Sequence, residues 1–135
     1  MACDIFSGGV FRDGRGALRY CNGADLSGVR RFYTVANAAS APVRGWIVHL
    51  RERKWFFPLS GVTVLHTAPC PDPVGAGLDL SRKQSVRLEA SAPSVLSVPP
   101  GTALAIEQNG DAEVLVFSDR TADESAADVW RFPYI

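Results

Sequence analysis

The chain carries no excess of charge of either sign. Fourteen Lys and Arg side chains balance fourteen Asp and Glu, giving a formal net charge of zero at pH 7. A general binder of nucleic acid or of an anionic membrane surface needs a basic excess, so neither partner is expected. No stretch approaches the roughly 20 apolar residues that cross a bilayer. The first residues, Met1-Ala2-Cys3-Asp4, lack a basic segment followed by an apolar run, so no signal peptide is expected and the cytoplasm is the expected address. Cysteine is sparse, and the three present (Cys3, Cys21 and Cys70) match neither a zinc site nor a disulfide framework in number or spacing. Free thiols are expected. Histidine is scarcer still, with His49 and His66 alone, which argues against a histidine-rich metal site.

What is present reads as strand. At 135 residues the chain has the size of one domain and can bury roughly two-thirds of its unfolded surface without a disulfide or metal. Runs rich in Val, Leu, Phe and Trp span 29–36, 43–50, 55–59, 62–67, 85–90, 94–98 and 112–118. Several alternate: Val86, Leu88 and Ala90 face one way, Ser85, Arg87 and Glu89 the other. Turn residues separate the runs at Gly8-Gly9, Asn22-Gly23, Ser60-Gly61, Pro99-Pro100-Gly101 and Asn109-Gly110. Ser60-Gly61 reads as a tight hairpin. Three prolines and two glycines within 69–77 read as a long surface loop. Only 121–128 reads as helix, with Thr121 as N-cap and Glu124 completing a capping box. Many short strands and almost no helix predict a single all-β domain over 1–135, a barrel or a sandwich.

Four groups of residues carry a more specific resemblance. They are Gly8-Gly9-Val10-Phe11-Arg12-Asp13-Gly14-Arg15-Gly16 with Leu18, Tyr20 and Asn22; Val29-Arg30-Arg31-Phe32-Tyr33 with Asn37; Arg44-Gly45-Trp46-Ile47-Val48-His49 with Lys54-Trp55-Phe56 and Ser60-Gly61; and Val98-Pro99-Pro100-Gly101 with 115–119, Glu124-Ser125, Asp128 and Arg131-Phe132-Pro133. In this order they resemble the small cupins related to dTDP-4-dehydrorhamnose 3,5-epimerase and the dTDP-sugar 3,4-ketoisomerases, the WxcM-like group. The resemblance implies a cupin jelly-roll β-barrel with one short C-terminal helix, a homodimer, no metal and no cofactor. The implied substrate is a dTDP-4-keto-6-deoxyhexose, and the implied setting is deoxysugar assembly for surface polysaccharide such as lipopolysaccharide.

Such a reaction removes a proton from the carbon next to the ketone. It needs a base poised near neutral pH, a donor at the developing enolate, a proton-returning acid and cations for the pyrophosphate. Alternation of the third group puts His49 on the face of Gly45 and Ile47, so His49 is the candidate base. Tyr33, and less directly Tyr20, are candidate proton donors, and Asp119 is a candidate partner for the histidine. Arg15, Arg31 and Arg44 are candidate phosphate ligands, and Trp46 offers a ring to stack on the base. The 51–54 run reads as a solvated turn apart from Lys54, a candidate substrate contact. His66 reads as a core or rim histidine. These enzymes usually carry a histidine three residues after the arginine of the Arg-Gly pair, and here Ile47 stands in that place. Thr102 to Ala105 likewise lack the histidine often found after the Pro-Pro-Gly turn. A second reading is therefore kept, a catalytically inactive cupin that binds a sugar nucleotide or a partner enzyme.

Overall fold

Alternation along the strands gives each an apolar side, and burying those sides against one another builds the molecule. The computed structural model describes residues 2–134. Its strands are β1 (Asp4–Ser7), β2 (Gly9–Asp13), β3 (Gly16–Tyr20), β4 (Arg31–Val35), β5 (Val43–Val48), β6 (Lys54–Ser60), β7 (Val62–Pro69), β8 (Gln84–Glu89), β9 (Ser94–Val98), β10 (Thr102–Gln108), β11 (Glu113–Ser118) and β12 (Trp130–Phe132). One helix, α1 (Ala122–Ala126), precedes β12. Two antiparallel five-stranded sheets face each other, ordered β1-β9-β6-β11-β4 and β12-β5-β10-β7-β8, and β2 and β3 form a separate hairpin. From β4 onward the chain passes repeatedly from one sheet to the other, which is jelly-roll connectivity.

The seven runs read as strands are strands, and the expected helix is present with its capping box: Thr121 accepts from the Glu124 amide, and the Glu124 carboxylate accepts from the Thr121 amide. The 70–79 segment is a loop, and Cys3, Cys21 and Cys70 are free thiols. Ser60-Gly61 is not a hairpin. β6 pairs with β9 and β11, whereas β7 pairs with β8 and β10. The chain turns a corner there between the sheets. Gly61 sits at φ +62°, and a Cβ on it would lie 3.0 Å from the Ala112 Cα. Gly61→Ala is expected to cost about 1–3 kcal/mol, read as a lower denaturant midpoint with unchanged slope. A midpoint equal to that of the natural chain would contradict this account of the corner.

Between the sheets Val35, Phe56, Leu96, Val114 and Val116 from one side meet Leu65, Leu88, Leu104 and Ile106 from the other. A second cluster lies on the outer face of the β12-to-β8 sheet, where Trp46, Val48, Ala68, Cys70, Ala103 and Ala105 are covered by Leu78, Trp130, Phe132 and Tyr134. β10 is thus buried on both faces. Its small outward residues Ala103 and Ala105 (both 0% exposed) leave room for the outer cluster of large rings.

Candidate active site

The interior opens toward one end of the barrel, beside β12. A cavity of about 350 Å³ there is lined by Tyr33, Arg44, Ile47, Lys54, Phe56 and Arg131, among others. A shallower cleft of about 280 Å³ continues past Arg31, His49, Ser125 and Val129. A gap of about 10 Å³ beside His49 reaches Glu52 and Pro99. Ile47 and Lys54 line all three spaces. They form the wall at which main cavity and cleft meet.

His49 sits just past the end of β5, and its position is fixed at both ends. The amide of Gly101, in the Pro-Pro-Gly turn at φ +76°, donates to its carbonyl at 2.8 Å. Beyond it, the Asp128 carboxylate accepts from the amides of Leu50 and Arg51 at 3.0 and 2.8 Å. Nε2 lies 3.1 Å from the Ser125 hydroxyl and 3.5 Å from Glu52 Oε1. The ring is 5% exposed. Burial, followed by the nearby Lys54 ammonium, lowers its pKa to about 4, so the ring is neutral at pH 7. As the alternation predicted, His49 shares its face with Ile47, but it borders the cleft rather than the main cavity.

Glu52 was hidden in a charge run that read as a solvated turn, and it is the most deeply placed acid of the site. Its side chain is 0% exposed. Oε2 accepts from Arg31 Nη2 at 3.0 Å and from the Ser118 hydroxyl at 2.6 Å. Oε1, which faces His49, is the buried side-chain polar atom left without a hydrogen-bond partner among the described residues. Burial opposes ionisation of Glu52, yet the Ser118 hydrogen bond and the neighbouring cations outweigh it and hold the carboxyl below its ordinary range. The only sequence trace of this pairing is the His49-x-x-Glu52 spacing.

Asp119, the expected partner of the histidine, does not meet it. Asp119 Oδ1 accepts from the Arg53 amide at 2.9 Å and braces the turn between β5 and β6. Arg15 is also away from the interior. It pairs with Asp13 at 2.6 Å on the tip of the β2–β3 hairpin, with its side chain 87% exposed. Arg31 borders the cleft, but its guanidinium is spent internally on Glu52, the Arg120 carbonyl and the face of Tyr33, 4.9 Å from the ring centroid. Tyr33 lines both cavity and cleft, and burial pushes its phenol above its ordinary pKa. Tyr20 packs over Gly9 on the hairpin, away from the cavity. Trp46 contributes to the cavity wall, but its ring is 2% exposed and packed at 5.7 Å on Tyr134 in the outer cluster, so it offers no free face for stacking.

Arg44 does reach the cavity, for a reason invisible to alternation. β5 pairs Arg44 with Ile106 and Ile47 with Leu104, so Gly45 and Trp46 together stand opposite Ala105. This bulge turns Arg44 and Ile47 to the same face. Asn37 Oδ1 accepts from Arg44 Nε at 3.0 Å and orients the guanidinium. Arg131, which alternates with the packed rings of Trp130 and Phe132, is a second cavity arginine that the sequence reading missed. Residues 130–132 lie outside the runs read as strand, so nothing in the sequence reading placed Arg131 on a cavity-facing side. His66 is a satisfied histidine on β7, 5.5 Å from the Tyr134 ring of the outer cluster and held between Ser85 Oγ at 2.7 Å and Glu107 Oε1 at 2.8 Å. Among the described residues no cluster of three His, Cys, Asp or Glu side chains is arranged to hold a metal.

Comparison with known proteins defines the class of fold. No family model matches the chain, and no curated protein sequence does. Solved structures do match. The sugar 3,4-ketoisomerase QdtA from Thermoanaerobacterium thermosaccharolyticum, in complex with TDP, aligns with a TM-score of 0.71 at 16% identity over 96% of this chain and 88% of that one. The rmlC epimerase of Mycobacterium tuberculosis aligns at 0.73 and 16% identity, over 96% of this chain and 68% of that one. ChmJ, a 3'-monoepimerase from Streptomyces bikiniensis in complex with dTDP-quinovose, aligns at 0.75 and 13% identity, again over 96% and 68%. The chain has the cupin-type jelly roll on which these sugar isomerases and epimerases are built.

Proposed function

We propose that the chain is a member of this sugar-nucleotide group, an epimerase or ketoisomerase acting on a dTDP-4-keto-6-deoxyhexose. The observation that carries the reading is a semi-enclosed cavity walled by apolar side chains, holding Arg44, Arg131 and Lys54, and adjoining a neutral buried histidine backed by a buried carboxylate. The arginines suit the pyrophosphate, since a fixed guanidinium fork matches phosphate oxygens. Neutral His49 takes the proton next to the ketone. Glu52 orients the ring and balances the imidazolium that forms. Tyr33 and Lys54 are the donors bordering the same space. The reading includes a cytoplasmic setting in deoxysugar assembly for surface polysaccharide. Among the described residues no helix is long and apolar enough to cross a membrane.

The test is incubation with TDP-4-keto-6-deoxyglucose, with the sugar followed by NMR. A new epimer or a displaced ketone is expected, and an unaltered sugar would contradict the reading. In parallel, Arg44→Ala and Arg131→Ala are each expected to weaken TDP binding about 10–100-fold, the size of one charge-assisted hydrogen bond, whereas Arg15→Ala leaves it unchanged. Calorimetric titration reads all three.

One observation favours the second reading, a cupin that binds without turnover. Ile47, not an imidazole, occupies the wall of the main cavity, and His49 stands behind it on the cleft side. Tight TDP binding with no change in any 4-keto sugar nucleotide would select it. The epimerase and ketoisomerase reading also carries a homodimer. Phe32 (71% exposed), Phe11 and Leu18 supply apolar surface for a second copy. Sedimentation at the dimer mass is expected, and a monomer at micromolar concentration would remove that part.

A further inference from the structure

Among the described residues of the main cavity, Lys54 is the polar side chain that is both buried and without an ion pair. It is 8% exposed at the start of β6 and borders main cavity, cleft and gap alike. Glu52, its charge neighbour, is engaged instead through Oε2 by Arg31 and Ser118. Lys54 itself has no ion-pair partner among the described residues. The other cations of the cavity, Arg44 and Arg131, carry a guanidinium, a donor group with no nucleophilic lone pair to offer a carbonyl. Burial, with the positive charges of Arg31 and Arg131 nearby, lowers the Lys54 pKa to about 8, so roughly a tenth of the amine is free at pH 7. An unpaired amine of this kind in an apolar cavity is the setting in which lysine condenses with carbonyl compounds.

We propose that Lys54 captures the ketone of the substrate as an imine, and that the chain is on that account an epimerase rather than a ketoisomerase. The inference rests on the reading of the cavity as a keto-sugar site. The Lys54 nitrogen lone pair adds to the carbonyl carbon, and the carbonyl π electrons go to oxygen, which gains a proton. The carbinolamine loses water and leaves a protonated imine. The adjacent C–H then breaks, its electrons enter the C=N system, and the proton passes to His49. The cationic nitrogen makes that hydrogen far more acidic than the parent ketone does. A base as weak as the buried His49 then suffices, without an imidazole at Ile47. The proton returns to the carbon it left, from either face. Hydrolysis by one water restores ketone and amine. Delivery to the nitrogen-bearing carbon instead would leave the sugar attached as a stable secondary amine. Ketone migration is therefore a dead end on this route, and epimerisation is not.

The chain makes the test clean, because Lys54 and the exposed Lys83 are its only lysines. The full chain is incubated with TDP-4-keto-6-deoxyglucose and sodium cyanoborohydride, then weighed intact and peptide-mapped. The expected product is one adduct of the substrate mass less one oxygen. It should lie on Lys54 at least tenfold above Lys83 and be absent from Lys54→Met and Lys54→Arg. TDP binding shows that each variant is folded. The only altered sugar expected without reductant is an epimer. Exchange or epimerisation with no adduct on Lys54 would overturn the imine and leave the keto-sugar reading intact, as would a ketone moved to the neighbouring carbon. Equal labelling of Lys54 and Lys83 would also overturn it. Failure to bind TDP at all would bring down the keto-sugar reading, and the imine with it.

Discussion

Replacing His49 with alanine is expected to slow exchange of the hydrogen next to the ketone by about 10²–10⁴-fold, the usual contribution of a positioned base, while TDP affinity stays as it was. The split follows from geometry. His49 borders the cleft and not the main cavity where Arg44 and Arg131 stand, so its loss removes a proton acceptor and no phosphate contact. The pH profile of the natural chain should carry the same mark. With a pKa lowered to about 4, His49 keeps its lone pair through the neutral range, so protonation of this ring adds its own acid limb only as pH drops toward that value. An acid limb near 6.5, the value of an unburied imidazole, would mean that the ring works outside the environment described here. The same shift bears on stability. The folded pKa lies below the unfolded one, so between about 6.5 and 4 the unfolded chain binds more protons. The contribution of His49 is complete above that window and is lost as pH falls through it.

Lys54→Met is expected to raise stability at pH 7 by about 1–3 kcal/mol while abolishing turnover. Few point substitutions stabilise by that much, and the sign has a definite cause. Burial lowers the folded pKa of Lys54 to about 8 from its ordinary value of 10.5. The folded state therefore holds its ammonium less well than water does, at every pH where the unfolded lysine is charged. Methionine fills a similar volume and needs no hydration. Urea denaturation of both proteins measures the difference. A destabilised Lys54→Met would mean that the ammonium is held by favourable contacts and is a structural element. A stabilised, inactive variant is the pattern of a side chain retained for chemistry at the expense of the fold.

The parts of the fold legible beforehand were those where local chemistry and tertiary environment agree. Val86 and Leu88 alternate because one face of β8 meets the interior, and Thr121 with Glu124 caps a helix wherever that helix lies. β10 escaped because Thr102 to Gln108 contains Ala103 and Ala105, poor strand formers chosen by the outer ring cluster above them. Ser60-Gly61 has the composition of a hairpin, yet a positive φ at glycine serves a corner between sheets equally well.

Within the site, His49 and Lys54 were legible because each falls where alternation or the family pattern leads inward. Arg44 was named on the pattern, but the bulge at Gly45-Trp46 that aims it depends on the register against β10, which one strand's residues do not encode. Glu52 stood unread between Arg51 and Arg53. Its burial arises from Ser118 and Arg31, which are 66 and 21 residues away in sequence. Asp119 had the right chemistry for a histidine partner and the wrong neighbour. These misses share one cause, long-range contacts deciding the role of a charged side chain.

The central claim is that a keto-sugar bound in the cavity loses the proton beside its ketone to this protein. The most direct measurement is NMR of TDP-4-keto-6-deoxyglucose in deuterated water with the natural chain added. Loss of the ring signal next to the ketone, faster than in buffer alone and absent with His49→Ala, is predicted. A signal that decays no faster than the buffer control, at protein concentrations that saturate the sugar nucleotide, would contradict it.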